Sequence, residues 1–277
     1  MTYDSREKSW ELGAPVEYYD FIRETEHWRY NTSDRILTRV EGGIDVPYLP
    51  LSISRERIQQ GPERNKLTLS INVPRGADVV DLWHPYPTSA TVGLTIYGGH
   101  IGEADEVVTW IGRVIAPKFR PEAVTLLGEP STTLARKSGQ VQCWQRGCMH
   151  VLYKQGDGLC NANREDFALL AEVTSSIANV IKAAEFATLD NGRLAGGYIE
   201  WTTPEGSVER RSVSTHVGDT LTLLYGTNVL PVGTEVTAYP GCKHNWDDCE
   251  TFFNNGVNYG GDLYSPEKSP FNGQPVF

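Results

Sequence analysis

Four cysteines fall into two short brackets, Cys148 with Cys160 and Cys242 with Cys249, separated by more than eighty residues. A histidine stands two positions after the first cysteine of each bracket, His150 and His244. Thiolates bind zinc and the iron of iron–sulfur clusters, and four of them complete a closed shell. Paired thiols on two distant loops predict one site where the loops meet. Eleven residues separate the first pair and six the second, wider than the roughly two to four of a zinc-finger pair. Such brackets suit loops wrapped round a larger object, such as a cubane cluster. The same residues also fit reduced, buried thiols, because free cysteine packs as a small hydrophobe. The residues alone leave both readings open. Cys143, five positions before the first bracket, is a spare or a competing ligand.

Other constellations are incomplete. His244-Asn245 with Asp247, Asp248 and Glu250 has the residue types of a metal nuclease, but no second histidine follows it, so the segment reads as a solvated acidic loop. Gly98-Gly99-His100-Ile101-Gly102 lacks the lysine and glycine order of a phosphate loop and reads as a β-turn. Cys148 and His150 lie two apart, on one face if the segment is a strand, and could form a Cys–His nucleophile. A hydrolase also needs an oxyanion hole and an orienting partner, and neither is visible. There is no G-x-S-x-G elbow and no H-E-x-x-H. A cysteine- or metal-dependent cell-wall hydrolase is therefore the rival of a structural protein.

The chain has 277 residues, 39% of them apolar, with seven Trp and thirteen Tyr, enough for one large domain or two ordinary ones. Mean hydropathy is −0.37 and the pI is near 5.1. A net charge of −10 argues against DNA, RNA or anionic membrane as a tight ligand, and against a DNA-targeting regulator. The basic groups Lys118–Arg120 and Arg136-Lys137 are short and isolated. The most apolar stretch, Ala168–Leu189, is interrupted by Glu172, Lys182 and Glu185, so no membrane anchor is expected. Residues 1–8 carry no signal-peptide apolar region. The expectation is a chain kept in a reducing cytoplasm, where disulfides are disfavoured, and five is an awkward count for a disulfide framework.

The elements that must hold these loops are short strands. Val16–Tyr30 reads as a strand with one buried face, followed by Arg35–Val40 and Ile44–Tyr48. Ser54–Gln60 reads as a short helix or turn. Lys66–Val73 alternates strictly, and Ala77–Trp83 fits a short helix burying Val79, Val80, Leu82 and Trp83. Ala90–Tyr97, Glu106–Pro117 and Val124–Glu129 are strands again. Ala168–Ala184 has helical spacing, yet Ser175-Ser176 could turn between two strands. Gly196–Trp201, Val208–Val213, Leu221–Tyr225 and Glu235–Tyr239 complete a pattern of strands with frequent turns, as in a barrel or sandwich. The Asn-, Gly- and Pro-rich tail after Thr251 reads as a strap docked by Phe252, Phe253, Tyr259 and Tyr264.

Several stretches together resemble the phage tail hub and tail-tip family, which includes the BR0599-type and DUF2163-type tail proteins. That family is related to the tail-tip L protein of lambda-like phages and to the hub protein of gene transfer agents. The stretches are 21–35, 46–55, 67–74 and 110–114, then Gln145–Tyr153, Ala195–Trp201, Gly241–His244, Asp248–Asn255 and Asn258–Gly261. The resemblance implies a mainly β protein: a hub-type β-barrel domain over 1–140, then a smaller β-rich domain over 141–277 holding an iron–sulfur cluster. It implies a non-enzymatic subunit of a virion, at the distal tip of a siphophage-type tail. That subunit would be a homo-oligomer, a trimer ring round the DNA channel, between the distal tail ring and the central fibre or receptor-binding protein. DNA would pass through without being specifically bound. It makes Cys148, Cys160, Cys242 and Cys249 the expected ligands of a [4Fe–4S] cluster, with zinc as the alternative metal and Cys143 outside the set. It also favours two strands over a helix in Ala168–Phe186. In one respect the chain departs from the family: Lys154–Leu159 lengthens the first bracket by about three residues, which makes Cys143 the understudy of Cys160.

Overall fold

The structure, a computed structural model, describes residues 7–8, 13–59, 68–103, 105–132, 144–227 and 230–265. It is mainly β, and the chain divides into two compact units, Met1–Lys137 and Ser138–Phe277. The second, expected to be the smaller, is about as long as the first.

The first unit carries β1 (Pro15–Arg23), β2 (Glu26–Asn31), β3 (Leu37–Glu41), β4 (Ile44–Pro50), β5 (Ser54–Arg55), β6 (Leu69–Pro74), β7 (Val92–His100), β8 (Val107–Phe119) and β9 (Ala123–Pro130). They form one nine-stranded sheet in the order β3-β4-β2-β1-β7-β8-β9-β6-β5, curled into a half-barrel. Every pairing is antiparallel except the short parallel match of β2 with β4. Val16–Tyr30, expected as one strand, is two: the chain reverses at Glu24, whose φ is 53°, and Tyr19 pairs with Tyr30. Alternation of apolar and polar residues is identical in a long strand and in a tight hairpin, so the reversal carried no pattern of its own. Of Ser54–Gln60, expected as a short helix or turn, Ser54–Arg55 form a two-residue strand, and Gln60 lies outside the described residues. Gly98–His100 is the end of β7, and the expected turn follows at Ile101-Gly102, closed by the Glu103 N–H donating to the His100 carbonyl at 3.1 Å. Lys66 and Leu67 lie outside the described residues.

The concave face of the sheet closes on a 3₁₀ turn, Asp78–Trp83, whose Val79, Val80, Leu82 and Trp83 are all buried. Around it pack Tyr19 and Phe21 of β1, Leu69, Ile71 and Val73 of β6, Leu94 and Ile96 of β7, and Val124 and Leu126 of β9. These are alternate positions along each strand, as a pleated sheet with one buried face requires. β1 is buried on both faces. Val16 and Tyr18 point the other way and meet Tyr48 in a second, smaller core.

The second unit carries β10 (Leu169–Glu172), β11 (Ser175–Ile177), β12 (Val180–Lys182), β13 (Tyr198–Thr202), β14 (Val208–Val217), β15 (Thr220–Leu223) and β16 (Glu235–Tyr239). Their order is β10-β16-β13-β14-β15-β12-β11. The helical spacing of Ala168–Ala184 is therefore not a helix. Ser175 and Ser176 are in a strand, and the reversal falls at Ala178, whose φ is 53°. Its apolar side chains divide between both sides of three short strands, with Ala171 and Ile181 buried and Leu170 and Ile177 exposed. The core of this unit is built from Val173, Ile181, Phe186, Leu194, Ile199, Trp201, Leu221, Val236 and Ala238. Among the described residues no helix is long and apolar enough to cross a membrane.

Candidate metal centre

The loops before β10 and after β16 carry the cysteines. Three residues at the end of β16 set the second loop: after Tyr239 the chain passes Pro240 and Gly241 at backbone contact with Gly196 and Gly197. A Cβ on Gly197 would lie 2.7 Å from the Gly241 nitrogen, and one on Gly241 2.6 Å from the Gly197 nitrogen. Only glycine permits that approach. It fixes where Cys242 leaves the sheet.

Cys249 lies in a single π-helical turn, Asp248–Phe252, a form that recurs at functional sites. The strap that follows is thus partly regular. Asp248, expected in a solvated acidic loop, is buried and bound. Arg193 donates from Nη1 to Asp248 Oδ1 at 2.6 Å and from Nη2 to Oδ2 at 3.0 Å and to the Gly241 carbonyl at 2.6 Å. The Lys243 backbone N–H donates to Asp248 Oδ2 at 2.9 Å, and the guanidinium lies 3.7 Å over the Phe252 ring. Burial pushes the Asp248 carboxyl up, but the Arg193 guanidinium and the Lys243 N–H outweigh it and hold the group below the ordinary aspartate range. Arg193 was missed by sequence reasoning. It precedes the Ala195-Gly196-Gly197 stretch with no local signal that its partner lies 55 positions away.

The first bracket is shaped by the loop between its cysteines. Lys154–Leu159 is closed at its base: Asn161 N–H donates to the Lys154 carbonyl at 2.9 Å, Gly156 N–H to Asn161 Oδ1 at 2.8 Å and Gln155 Nε2 to the Ala162 carbonyl at 2.7 Å. Residues 154–158 are exposed, and Cys160 returns buried. The two brackets are tied together by Cys148 N–H donating to the His244 carbonyl at 2.7 Å, His244 Nδ1–H to the Cys148 carbonyl at 3.1 Å, and the Tyr153 hydroxyl to the Pro240 carbonyl at 2.7 Å. His150 Nδ1–H donates to the Asn258 carbonyl at 3.0 Å. Phe167, Phe252 and Phe253 form an aromatic bed beneath Cys160 and Cys242.

These constraints bring all four cysteines to one cavity, lined by Cys148, Cys160, Cys242 and Cys249 with His150 and His244. Four of the six non-glycine residues with positive φ among the described residues, Tyr153, Asn161, His244 and Asn254, belong to these loops. Such backbone persists only where its surroundings over-determine it. Three of the sulfurs are within reach of N–H donors: His244 N–H to Cys242 and Gly260 N–H to Cys148, each at 3.3 Å, and Asn255 Nδ2 to Cys160 at 3.8 Å. The fourth, Cys249, donates to the Asn255 carbonyl at 3.3 Å. Burial, then the neighbouring cysteines, pushes the Cys249 thiol up to about 11. Burial also raises Cys242, against the His244 N–H, which favours its thiolate. Without a bound cation such thiols keep their protons; a metal would displace them. Among the described residues no three His, Cys, Asp or Glu side chains are grouped as one metal ion requires. Cys143 lies outside the described residues. The strap docks through Phe253, which is buried, and through Tyr259, 5.3 Å from Trp246, whereas Tyr264 is 93% exposed and does not dock.

Residues 192–269 match the family model of the phage conserved hypothetical protein BR0599, a segment that holds Arg193, Cys242, Cys249 and the strap. An uncharacterized protein of Xylella fastidiosa (strain 9a5c) is 30% identical over 173 residues, which cover 58% of this chain and 35% of that one. The chain thus spans about a third of the length of this curated relative. Among solved structures, a chain in the virion of the native gene transfer agent (GTA) particle superposes with a TM-score of 0.73 at 16% identity, over 99% of both chains. That likeness shows the fold along the full length, and with the BR0599 match it bears out the resemblance to a phage tail-type family.

Proposed function

We propose that the chain is a structural, non-enzymatic component of a phage- or GTA-type virion, serving as a hub or tail-tip subunit of the tail. The observation that carries this reading is the fold shared over 99% of the length with a chain of a gene transfer agent virion. In this reading subunits close into a ring, three-fold, between the distal tail ring and the central fibre or receptor-binding protein, with DNA passing through the lumen. A net charge of −10 suits a channel that phosphates must slide past, since fixed cationic contacts would retard them. β8 leaves Ile111, Ile115 and Phe119 between 42% and 51% exposed, apolar surface that a neighbour in a ring would cover. A reconstruction of assembled tails tests the reading. Three copies round the axis at the tip are expected, and six-fold or no rotational order at this subunit would overturn the ring. Turnover of peptidoglycan by the purified protein, abolished by Cys148→Ala, would replace the structural reading with the hydrolase.

Within this role the C-terminal unit is stapled by a [4Fe–4S] cluster on Cys148, Cys160, Cys242 and Cys249. The residues fit such a group: four thiols line one cavity, and N–H donors reach three of the sulfurs. Zinc is the alternative, held by thiols with His150 or His244, but one ion needs its ligands converging on a point. A four-iron cluster takes its four cysteines at separate irons and has no such requirement. When bound, the cluster supplies metal–thiolate bonds that couple the folding of two distant loops. The chain's own part is to deliver the four sulfurs, which the Gly197–Gly241 contact, the Arg193–Asp248 pair and the closed base of the 154–159 loop all do. Iron, sulfide and zinc content after anaerobic purification is the test. Iron and sulfide in equal amount are expected; zinc without sulfide rejects the cluster, and no metal rejects both. Cys143→Ser is expected to leave the metal content unchanged and Cys160→Ser to abolish it.

A further inference from the structure

The two brackets must be held in register with each other, and Asn255 is one of the side chains that join them. Asn255 follows the turn of Cys249, and its backbone N–H donates to the Cys249 carbonyl at 2.9 Å. Its carbonyl accepts from the Cys249 thiol at 3.3 Å. Its side chain reaches the other bracket, 95 positions away, where Nδ2 donates to the Cys160 carbonyl at 2.5 Å and lies 3.8 Å from Cys160 Sγ. The amide is oriented by Asn258, whose Nδ2 donates to Asn255 Oδ1 at 2.7 Å. Asn258 in turn accepts from His150 through its carbonyl and from Asn161 Nδ2 through Oδ1, the latter at 3.5 Å. An amide whose oxygen is already taken can only present its N–H groups to Cys160.

We propose that Asn255 is a positioning residue for Cys160, setting that thiol against Cys249 and donating to its sulfur when metal is bound. The inference rests on the metal-centre reading above and adds to it. Its physical ground is that the closed base at Asn161 fixes, from within the first bracket, the backbone where the loop returns, whereas Cys160 must also be set against the second bracket. Asn255 supplies the remaining constraint from the opposite loop. Donors in this position orient a ligand and stabilise its anionic form, and losing one typically weakens metal binding by about 10–100-fold. N–H bonds to cluster sulfurs also raise the reduction potential.

The test compares the full-length protein, purified without oxygen, with Asn255→Asp, which keeps the shape and replaces the donor by an acceptor. Metal content of the wild type is measured first. Release of the bound metal to a chelator is then followed in folded protein, together with the visible spectrum and the reduction potential. Release from Asn255→Asp is expected to be about 10–100-fold faster, with the potential lowered. A contact that only stabilised the fold would change the melting temperature and leave release and potential as in the wild type, and that result overturns the proposal. If Asn255→Asp does not fold, Asn258→Ala decides: it leaves Asn255 in place but frees its amide to turn. Faster release supports the proposal and unchanged release overturns it. A wild type without metal overturns the metal-centre reading and this inference together. A wild type with zinc alone overturns only the cluster, and zinc release from the same variants then decides the role of Asn255.

Discussion

Arg193 shows how much of the candidate site depends on groups that never touch metal. Its side chain is 13% exposed and that of Asp248 6%, so the pair is buried and bidentate, and it holds the Gly241 carbonyl in the same grip. Breaking one half of such a pair strands the other charge, at about 3–5 kcal/mol. Arg193→Ala is therefore expected to lower the unfolding free energy of the C-terminal unit by that amount in denaturant titrations. Lysine at 193 would not rescue it, because an ammonium cannot bridge both carboxylate oxygens and stack on Phe252. Replacing both partners, Arg193→Met with Asp248→Leu, should recover much of the loss. A double mutant no better than the single one would mean that the Gly241 and Phe252 contacts, not the charge pair, do the holding. The meeting of the four cysteines at one cavity was legible from their spacing, because brackets on two distant loops share a site only where the loops meet. Arg193 and Asn255 were not, since each is defined by a partner 55 or 95 positions away.

At the scale of elements, what the sequence displayed depended on whether a strand had one face or two. Ala77–Trp83, Glu235–Tyr239 and the described part of Lys66–Val73 were read close to where they lie, each having an unambiguous period and clear punctuation. The β1–β2 hairpin and the β11–β12 reversal were hidden, because both turn on residues in left-handed backbone that are not glycine, Glu24 and Ala178. The hairpin also buries a charge. Asp20, 4% exposed, accepts from His27 Nδ1 at 2.9 Å and lies 3.6 Å from Arg29 Nε. Burial outweighs these two partners and raises its carboxyl above the ordinary 3.8. The neutral form is thus favoured by folding. The stability this gives is complete below the unfolded value and is lost as pH rises through the higher folded one. Asp20→Asn, neutral at every pH, should flatten that loss. Melting curves at a series of pH values from about 3.8 upward should show the variant gaining on the wild type as pH rises. A constant difference at all pH values would show that Asp20 titrates normally in the fold.

For the whole molecule, the question is which surface is exposed only until assembly. Ile115 is 48% exposed on β8 and contributes nothing to either core of its unit. Ile115→Lys is expected to leave the melting temperature of the isolated protein nearly unchanged, as surface substitutions do, within about 0.5 kcal/mol, yet to reduce incorporation into tails severalfold in a complementation assay. Full incorporation would remove β8 from the interface. The pinched loop at 154–159 has a use at this scale. Three hydrogen bonds between Lys154, Gln155 and Gly156 on one side and Asn161 and Ala162 on the other close its neck, so length added at its exposed tip, Asp157-Gly158, is decoupled from the position of Cys160. A short affinity epitope spliced between Asp157 and Gly158 should leave metal content intact, giving antibodies a grip on the particle. The loop of the first bracket then becomes an address tag, by which the proposed place of the subunit on a tail can be tested.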